Sequence, residues 1–153
     1  MNLVEILTPD RICLNLPGSD KREVIESLLD LACATGKVAD RELALDSVLQ
    51  REDRMSTGME YGVAIPHGKT ETVEEMIAFL ALKPEGVDFD ALDGSRSKIF
   101  LFTLSPMSHR GPHVQFMTGV SRLLIKGDLR EQLIAARTPQ AACDVLFSGL
   151  RAD

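Results

Sequence analysis

The chain has 153 residues, 44% of them hydrophobic and 26% charged, which suits one compact domain with a buried core. Its formal charge is −6, from 17 Lys and Arg against 23 Asp and Glu, with no long block of either sign, which argues against a nonspecific binder of nucleic acid or anionic lipid. The N-terminus lacks a positive segment and a long apolar run, and Cys13, Cys33 and Cys143 stand singly with no CxxC pair; together these point to reduced thiols, a cytoplasmic location and no direct membrane insertion.

In chain order, Ile12–Leu16 alternates weakly and reads as a short strand before the turn residues Pro17 and Gly18. Ser19 or Asp20 then caps a helix whose apolar positions Val24, Leu28, Leu29, Leu31 and Ala32 recur at helical spacing, ending near Gly36. Asp40 caps a second helix that runs to about Asp53. Three strands follow, at Val63–Ile65, Met76–Leu82 and Lys98–Leu104, the last nearly continuous in apolar residues as expected of a central strand covered on both faces. Pro84-Glu85-Gly86 and Asp93-Gly94 read as turns. After Pro112 comes a helix with Val114, Met117, Val120, Leu123 and Leu124 on one face, read as core, and then helices at Asp128–Arg137 and Pro139–Leu150, the second capped by Thr138. Helices before and after a block of strands, with no repeat or long linker, predict an α/β fold: a single-domain sandwich, residues 1–153, with a central mixed β-sheet flanked by helices.

The stretch "YGVAIPHGKTE" (Tyr61–Glu71) invites comparison with a phosphate-binding loop because Gly62 precedes Gly68-Lys69-Thr70. That loop needs four residues between its glycines, and here there are five, one of them Pro66, which removes a backbone donor. The other reading is a strand end that presents His67 as a rigid, exposed imidazole at a sheet edge. An imidazole titrates near 6.5 and is largely a neutral nucleophile at pH 7. The plain alternative is a loop histidine bonded to backbone. No metal is expected: His109 and His113 have i,i+4 spacing, but Gly111 and Pro112 between them argue against one helix presenting both, and no Cys or carboxylate cluster completes a ligand set.

The segment Arg51–Lys69 holds Arg51-Glu52, then Ser56-Thr57-Gly58, then Ala64-Ile65-Pro66-His67, and His113 follows near the start of a later helix. This combination, with the "GVDFDALDG" turn and three closing helices, resembles the enzyme IIA proteins of the bacterial sugar phosphotransferase system, fructose/mannitol type, including their nitrogen-regulatory branch. Glu60, where that family often has glycine, and the additional His109 are departures.

The resemblance implies a phosphohistidine carrier, a phosphotransferase system component without cofactor. His67 would accept a phosphoryl group from the histidine-containing phosphocarrier protein and pass it to a IIB-type acceptor, or use it as a regulatory signal. Arg51 would neutralise phosphate oxygens, with Arg54 the competing arginine; the alternative for Arg51 is a solvated helix-end charge. His113 would hydrogen-bond the phosphate or fix the tautomer of His67, or be a surface residue. Ser56 and Thr57 would contact phosphate or cap a turn. A purely regulatory binding module of the nitrogen-related branch, without a sugar-transport role, is the alternative function; the absence of a fused permease or sugar-recognition domain favours it in part.

Overall fold

The computed structural model describes the backbone of residues 3–108 and 111–151 and the side chains of residues 5–108 and 114–149. A short helix α1 (Leu3–Ile6) and a 3₁₀ turn (Pro9–Arg11) lead into strand β1 (Ile12–Cys13) and helices α2 (Lys21–Cys33) and α3 (Arg41–Arg54). Strands β2 (Val63–Ala64), β3 (His67–Lys69), β4 (Ile77–Val87) and β5 (Ser97–Ser105) follow, then helices α4 (Gly111–Leu124), α5 (Gly127–Ala135) and α6 (Pro139–Arg151).

The strands form one mixed sheet in the order β1-β4-β5-β2, with β3 also on β5. The β4/β5 pair is antiparallel; β1 lies parallel to β4, and β2 and β3 lie parallel to β5, with a single antiparallel bridge from Gly58 to Ala64 among the described residues. The apolar run of β5 divides by strand periodicity between two cores. Phe100, Phe102 and Leu104 pack with Leu28 and Leu29 of α2 and Val48 of α3, while Ile99 and Leu101 pack with Val120 and Leu123 of α4, Leu133 of α5 and Leu146 of α6. Each such fully buried side chain contributes about 1.5–3 kcal/mol of transfer free energy. The expected α/β sandwich is therefore the observed one, with both faces of the sheet covered.

Helix starts follow their caps. The Asp20 carboxylate accepts the Glu23 N–H (2.9 Å) and Asp40 accepts the Leu43 N–H (3.2 Å), so Asp20 rather than Ser19 caps α2; the Thr138 hydroxyl accepts the Ala141 N–H (3.0 Å).

Four local readings differ from the sequence. β4 continues through Pro84-Glu85-Gly86 instead of turning there, with a register shift between Leu82 and Val87 and Gly86 at φ 72°. A bulge tolerates proline's missing N–H, so these residues bend the strand without ending it. α4 begins at Gly111, so Gly111 and Pro112 form its first turn where the sequence placed them before the helix, since proline's missing N–H has no intrahelical partner to lose there; His109 lies outside the described residues. On α4 the buried face is set by Phe116 and Val120, and Val114 is 58% exposed, so Val114 is not core. Finally, β1 stops at Cys13, although the Leu16 N–H still reaches the Leu82 carbonyl (3.0 Å).

One close approach positions the region of His67. A methyl group at Gly68 would lie 2.4 Å from Ser47 Oγ and 3.0 Å from Val48 Cγ2, so β3 rests directly on α3. Gly68 is a contact glycine, not a phosphate-cradling one. We expect Gly68→Ala to cost about 1–3 kcal/mol through overpacking and to lower the melting temperature, with partial recovery in Gly68→Ala/Ser47→Ala; a wild-type melting temperature would refute this contact.

Candidate functional site

β2 and β3 hold a single register on β5: Val63 and Ala64 sit opposite Ile99 and Phe100, and His67 and Gly68 opposite Thr103 and Leu104. They are one edge strand interrupted at Ile65-Pro66. Pro66 has no N–H for the ladder and restricts the backbone of the residue before it. By strand alternation the Ile65 N–H and carbonyl point away from β5: the N–H goes to the Thr57 carbonyl (3.0 Å) beside the antiparallel bridge between Gly58 and Ala64, while the Pro66 carbonyl still accepts the Thr103 N–H (3.3 Å). His67 thus lies within an edge strand, not beyond the end of one, and its ring is half-buried rather than exposed.

The Ile65 carbonyl lies 2.9 Å from His67 Nδ1. A carbonyl oxygen only accepts, so Nδ1 carries the proton and, in the neutral ring, Nε2 carries the lone pair. Burial pushes the imidazole's pKa below its ordinary 6.5; the Ile65 carbonyl and the Glu52 carboxylate oppose that, while the cations of Arg51 and Lys69 add to it. The ring is therefore neutral at pH 7, with two cations near it that suit an incoming anion. Arg51, in the last turn of α3, is half-buried and donates from Nη1 to the Met55 carbonyl (2.8 Å). Of the two arginines considered, Arg51 is the one whose charge acts on His67; Arg54 is exposed.

The hydroxyls of Ser56 and Thr57 are engaged in the turn. Ser56 Oγ donates to the Phe89 carbonyl (2.7 Å) and accepts the Gly58 N–H (3.0 Å). Thr57 is 1% exposed; its hydroxyl donates to Glu52 Oε2 (2.6 Å) and its N–H to Glu52 Oε1 (2.8 Å). Glu52 is 8% exposed and pairs with Lys21 Nζ at 2.8 Å. In this state both hydroxyl protons serve the fold, which is the turn-capping side of the two readings given to them. The loop is braced further where the Leu92 N–H meets the Gly58 carbonyl (3.1 Å) and the Tyr61 N–H meets Asp93 Oδ2 (3.1 Å).

Tyr61 and Gly62 both have positive φ, 63° and 77°, and the Val63 N–H reaches the Glu60 carbonyl (3.3 Å), the pattern of a type I′ turn. Gly62 is there for that turn. Glu60 lies on the turn and lines a cleft of about 390 Å³ with Met59, Tyr61, Ile65, Leu124 and Ile125. The carboxylate whose charge acts on His67 is Glu52. The backbone of His113 lies in the first turn of α4, and its side chain is outside the described residues. Thr103, opposite His67 on β5, donates to Met117 Sδ (3.9 Å), one turn further along α4, so this face of the strand looks toward that helix. Sequence reasoning missed Glu52, Lys21 and Lys69 as site residues; Glu52 stood beside Arg51, but nothing in the chain marked it as buried. Among the described residues no three His, Cys, Asp or Glu side chains gather to hold a metal, and no helix is long and apolar enough to cross a membrane.

Because the folded chain disfavours protonated His67, the stability this group contributes is present above about 6.5 and is lost as pH falls through its lowered folded value. An NMR titration should give a His67 midpoint below 6.5, and Arg51→Met should move it upward by removing a cation. A wild-type midpoint at or above 6.5, or a downward move in the variant, would contradict this electrostatic account.

Residues 5–148 match the family described as phosphoenolpyruvate-dependent sugar phosphotransferase system, EIIA 2. The chain is 40% identical over 144 residues to the PTS system fructose-specific EIIA component of Haloferax volcanii, covering 94% of each. It is 30% identical over 146 residues to the nitrogen regulatory protein of Pseudomonas aeruginosa, covering 95% of each. Among solved structures it is similar to the nitrogen regulatory protein IIA-Ntr of Neisseria meningitidis, with a TM-score of 0.81 and 25% identity over 94% of this chain and 98% of that one. With its match spanning nearly the whole sequence and its fold similar to that of the solved relative, the chain belongs to the EIIA 2 family of the phosphoenolpyruvate-dependent sugar phosphotransferase system.

Proposed function

We propose that His67 is the phosphorylated residue of this carrier, taking the phosphoryl group on Nε2 from the histidine-containing phosphocarrier protein and releasing it to a IIB-type domain, in the cytoplasm. The observation that carries the reading is the 2.9 Å contact from Nδ1 to the Ile65 carbonyl, which leaves the lone pair on Nε2. In the transfer, the donor's P–N bond breaks as a P–N bond to Nε2 forms, and the donor imidazole recovers its electron pair. The phosphoryl oxygens carry their charge toward Arg51 and Lys69. The positive charge that develops on the ring is met by the Ile65 carbonyl, whose hydrogen bond strengthens with it. No redox change and no nucleotide are involved. Ser56 and Thr57 serve this step by shaping the loop before the strand.

A protein donor suits the surroundings. Met55, Met59, Tyr61 and Leu92 are exposed large apolar side chains on or bonded to the loop that precedes His67, and Ile125, which lines one cleft with Met59 and Tyr61, extends the patch to the end of α4. Such a patch is what a partner protein covers when it brings a second histidine to the first. The nitrogen regulatory relative favours a second reading, in which phosphorylated and unphosphorylated forms bind a regulated protein differently. Both readings use His67 and differ in the acceptor.

Incubation with phosphorylated carrier protein should add one phosphate, acid-labile and alkali-stable, which His67→Ala abolishes; a phosphate that persists in that variant would overturn the assignment. Adding a IIB domain should discharge it if the chain serves transport. For His113, whose proposed role is a hydrogen bond to the transferring group, loss should slow phosphorylation by roughly 10²–10³ while His109→Ala stays near wild type. Equal rates for the two variants would remove His113 from the site.

A further inference from the structure

Lys21, Glu52 and Thr57 form a buried network that ends at His67. Glu52 is held by α3, one residue after Arg51, and its two oxygens take three donors: the Thr57 N–H (2.8 Å), the Thr57 hydroxyl (2.6 Å) and Lys21 Nζ (2.8 Å). Lys21 is the first residue of α2, with Nζ also 3.2 Å from Asp90 Oδ2 and 4.9 Å from the centre of the Phe89 ring. A carboxylate this buried is retained only when its charge and lone pairs are met, as they are here. Thr57, fixed by two bonds to Glu52, offers its carbonyl to the Ile65 N–H (3.0 Å), and the Ile65 carbonyl receives Nδ1 of His67 (2.9 Å). The Ile65 N–H points away from β5, so the Thr57 carbonyl is what holds it.

We propose that Glu52 is a positioning residue for His67: through Thr57 and the Ile65 peptide it fixes the imidazole as the Nδ1–H tautomer and so keeps the nucleophilic lone pair on Nε2. Glu52 does not touch the phosphoryl group in this account. A purely structural Glu52 would hold the loop without governing which ring nitrogen carries the proton, so the tautomer separates the two roles. The kinetic consequence rests on the carrier function proposed for His67; the tautomer does not.

The test compares wild type, Glu52→Gln, Thr57→Val and Thr57→Ser, with circular dichroism and melting curves as folding controls. Glu52→Gln removes the charge that Lys21 meets and one of the two acceptors for Thr57. Thr57→Val keeps the shape and deletes the hydroxyl, and Thr57→Ser restores it. The readout is the ¹⁵N imidazole spectrum of His67 at a pH above its titration, with no phosphate present, followed by the rate of phosphorylation by phosphorylated carrier protein at saturating donor. Wild type and Thr57→Ser should show a single Nδ1–H tautomer. Glu52→Gln and Thr57→Val should show a mixture and accept phosphate roughly 10-fold to 100-fold more slowly, by analogy with the loss of partners that fix the tautomer of metal-bound histidines. A single Nδ1–H tautomer in both of these variants would overturn the proposal whatever their rates, as would an Nε2–H ring in wild type. If Glu52→Gln does not fold, the Thr57 pair decides. Should wild type take no phosphate from the donor, the carrier reading falls while the tautomer comparison still judges this one.

Discussion

The imidazole of His67 gives its Nδ1 proton to a carbonyl two residues back, 2.9 Å away, and most of the surrounding structure bears on keeping that carbonyl in place. Ile65 can offer it because its N–H and carbonyl point away from β5, between two edge segments of identical register. Pro66 lacks one ladder N–H, though its carbonyl still accepts from Thr103, and on the outer side of the strand the Ile65 N–H is held by Thr57 and, through it, by Glu52. A neutral imidazole oriented in this way has one nitrogen bound to the scaffold and its lone pair on the other.

The same constraint explains the tight packing on either side. α3 must lie close enough for Arg51 to act on the ring, and the absence of a side chain at Gly68 lets β3 settle against Ser47 and Val48. On the other side of the loop, Lys21 joins α2 to the network, and the backbone at 89–93 receives the Ser56 hydroxyl and supplies the Leu92 N–H and the Asp93 carboxylate. The Asp93 pKa is lowered to about 2, chiefly by the Ser95 hydroxyl and N–H, with the Tyr61 N–H adding to them, so that side chain remains an anion and an acceptor throughout the physiological range. Arg130 closes the ring of contacts: its guanidinium stacks 4.6 Å from the Tyr61 ring centre and donates to the Leu124 and Ile125 carbonyls at the end of α4. The loop before His67 is thus tied to both halves of the sandwich.

Much of this fold was legible from periodicity and punctuation. Asp20, Asp40 and Thr138 announced their helices because a capping carboxylate or hydroxyl acts within three residues of itself, and β5 announced a doubly covered strand because both its faces are apolar. The failures lie where tertiary packing decides. Pro84 and Gly86 carry turn chemistry, yet cross-strand pairing with β5 on both sides holds them in a bulged strand. Val114 fits the apolar stripe of α4 by spacing, but the helix is seated on Phe116 and Val120. At the site, the Ile-Pro-His pattern singled out His67, and its place near Arg51 was read from the family resemblance. The network behind them was not legible: a Glu at a helix end looks the same in sequence whether it is solvated or buried, and Lys21 lies too far along the chain for any local signal to pair it with Glu52.

The central claim concerns which nitrogen reacts. Phosphorylating ¹⁵N-histidine-labelled protein with phosphorylated carrier, and locating the phosphorus by its coupling to the His67 ring nitrogens, measures this directly. The account predicts phosphorus on Nε2 with Nδ1 still protonated toward the Ile65 carbonyl. Phosphorus on Nδ1 would require that hydrogen bond to break, and would contradict the role assigned to every residue behind it.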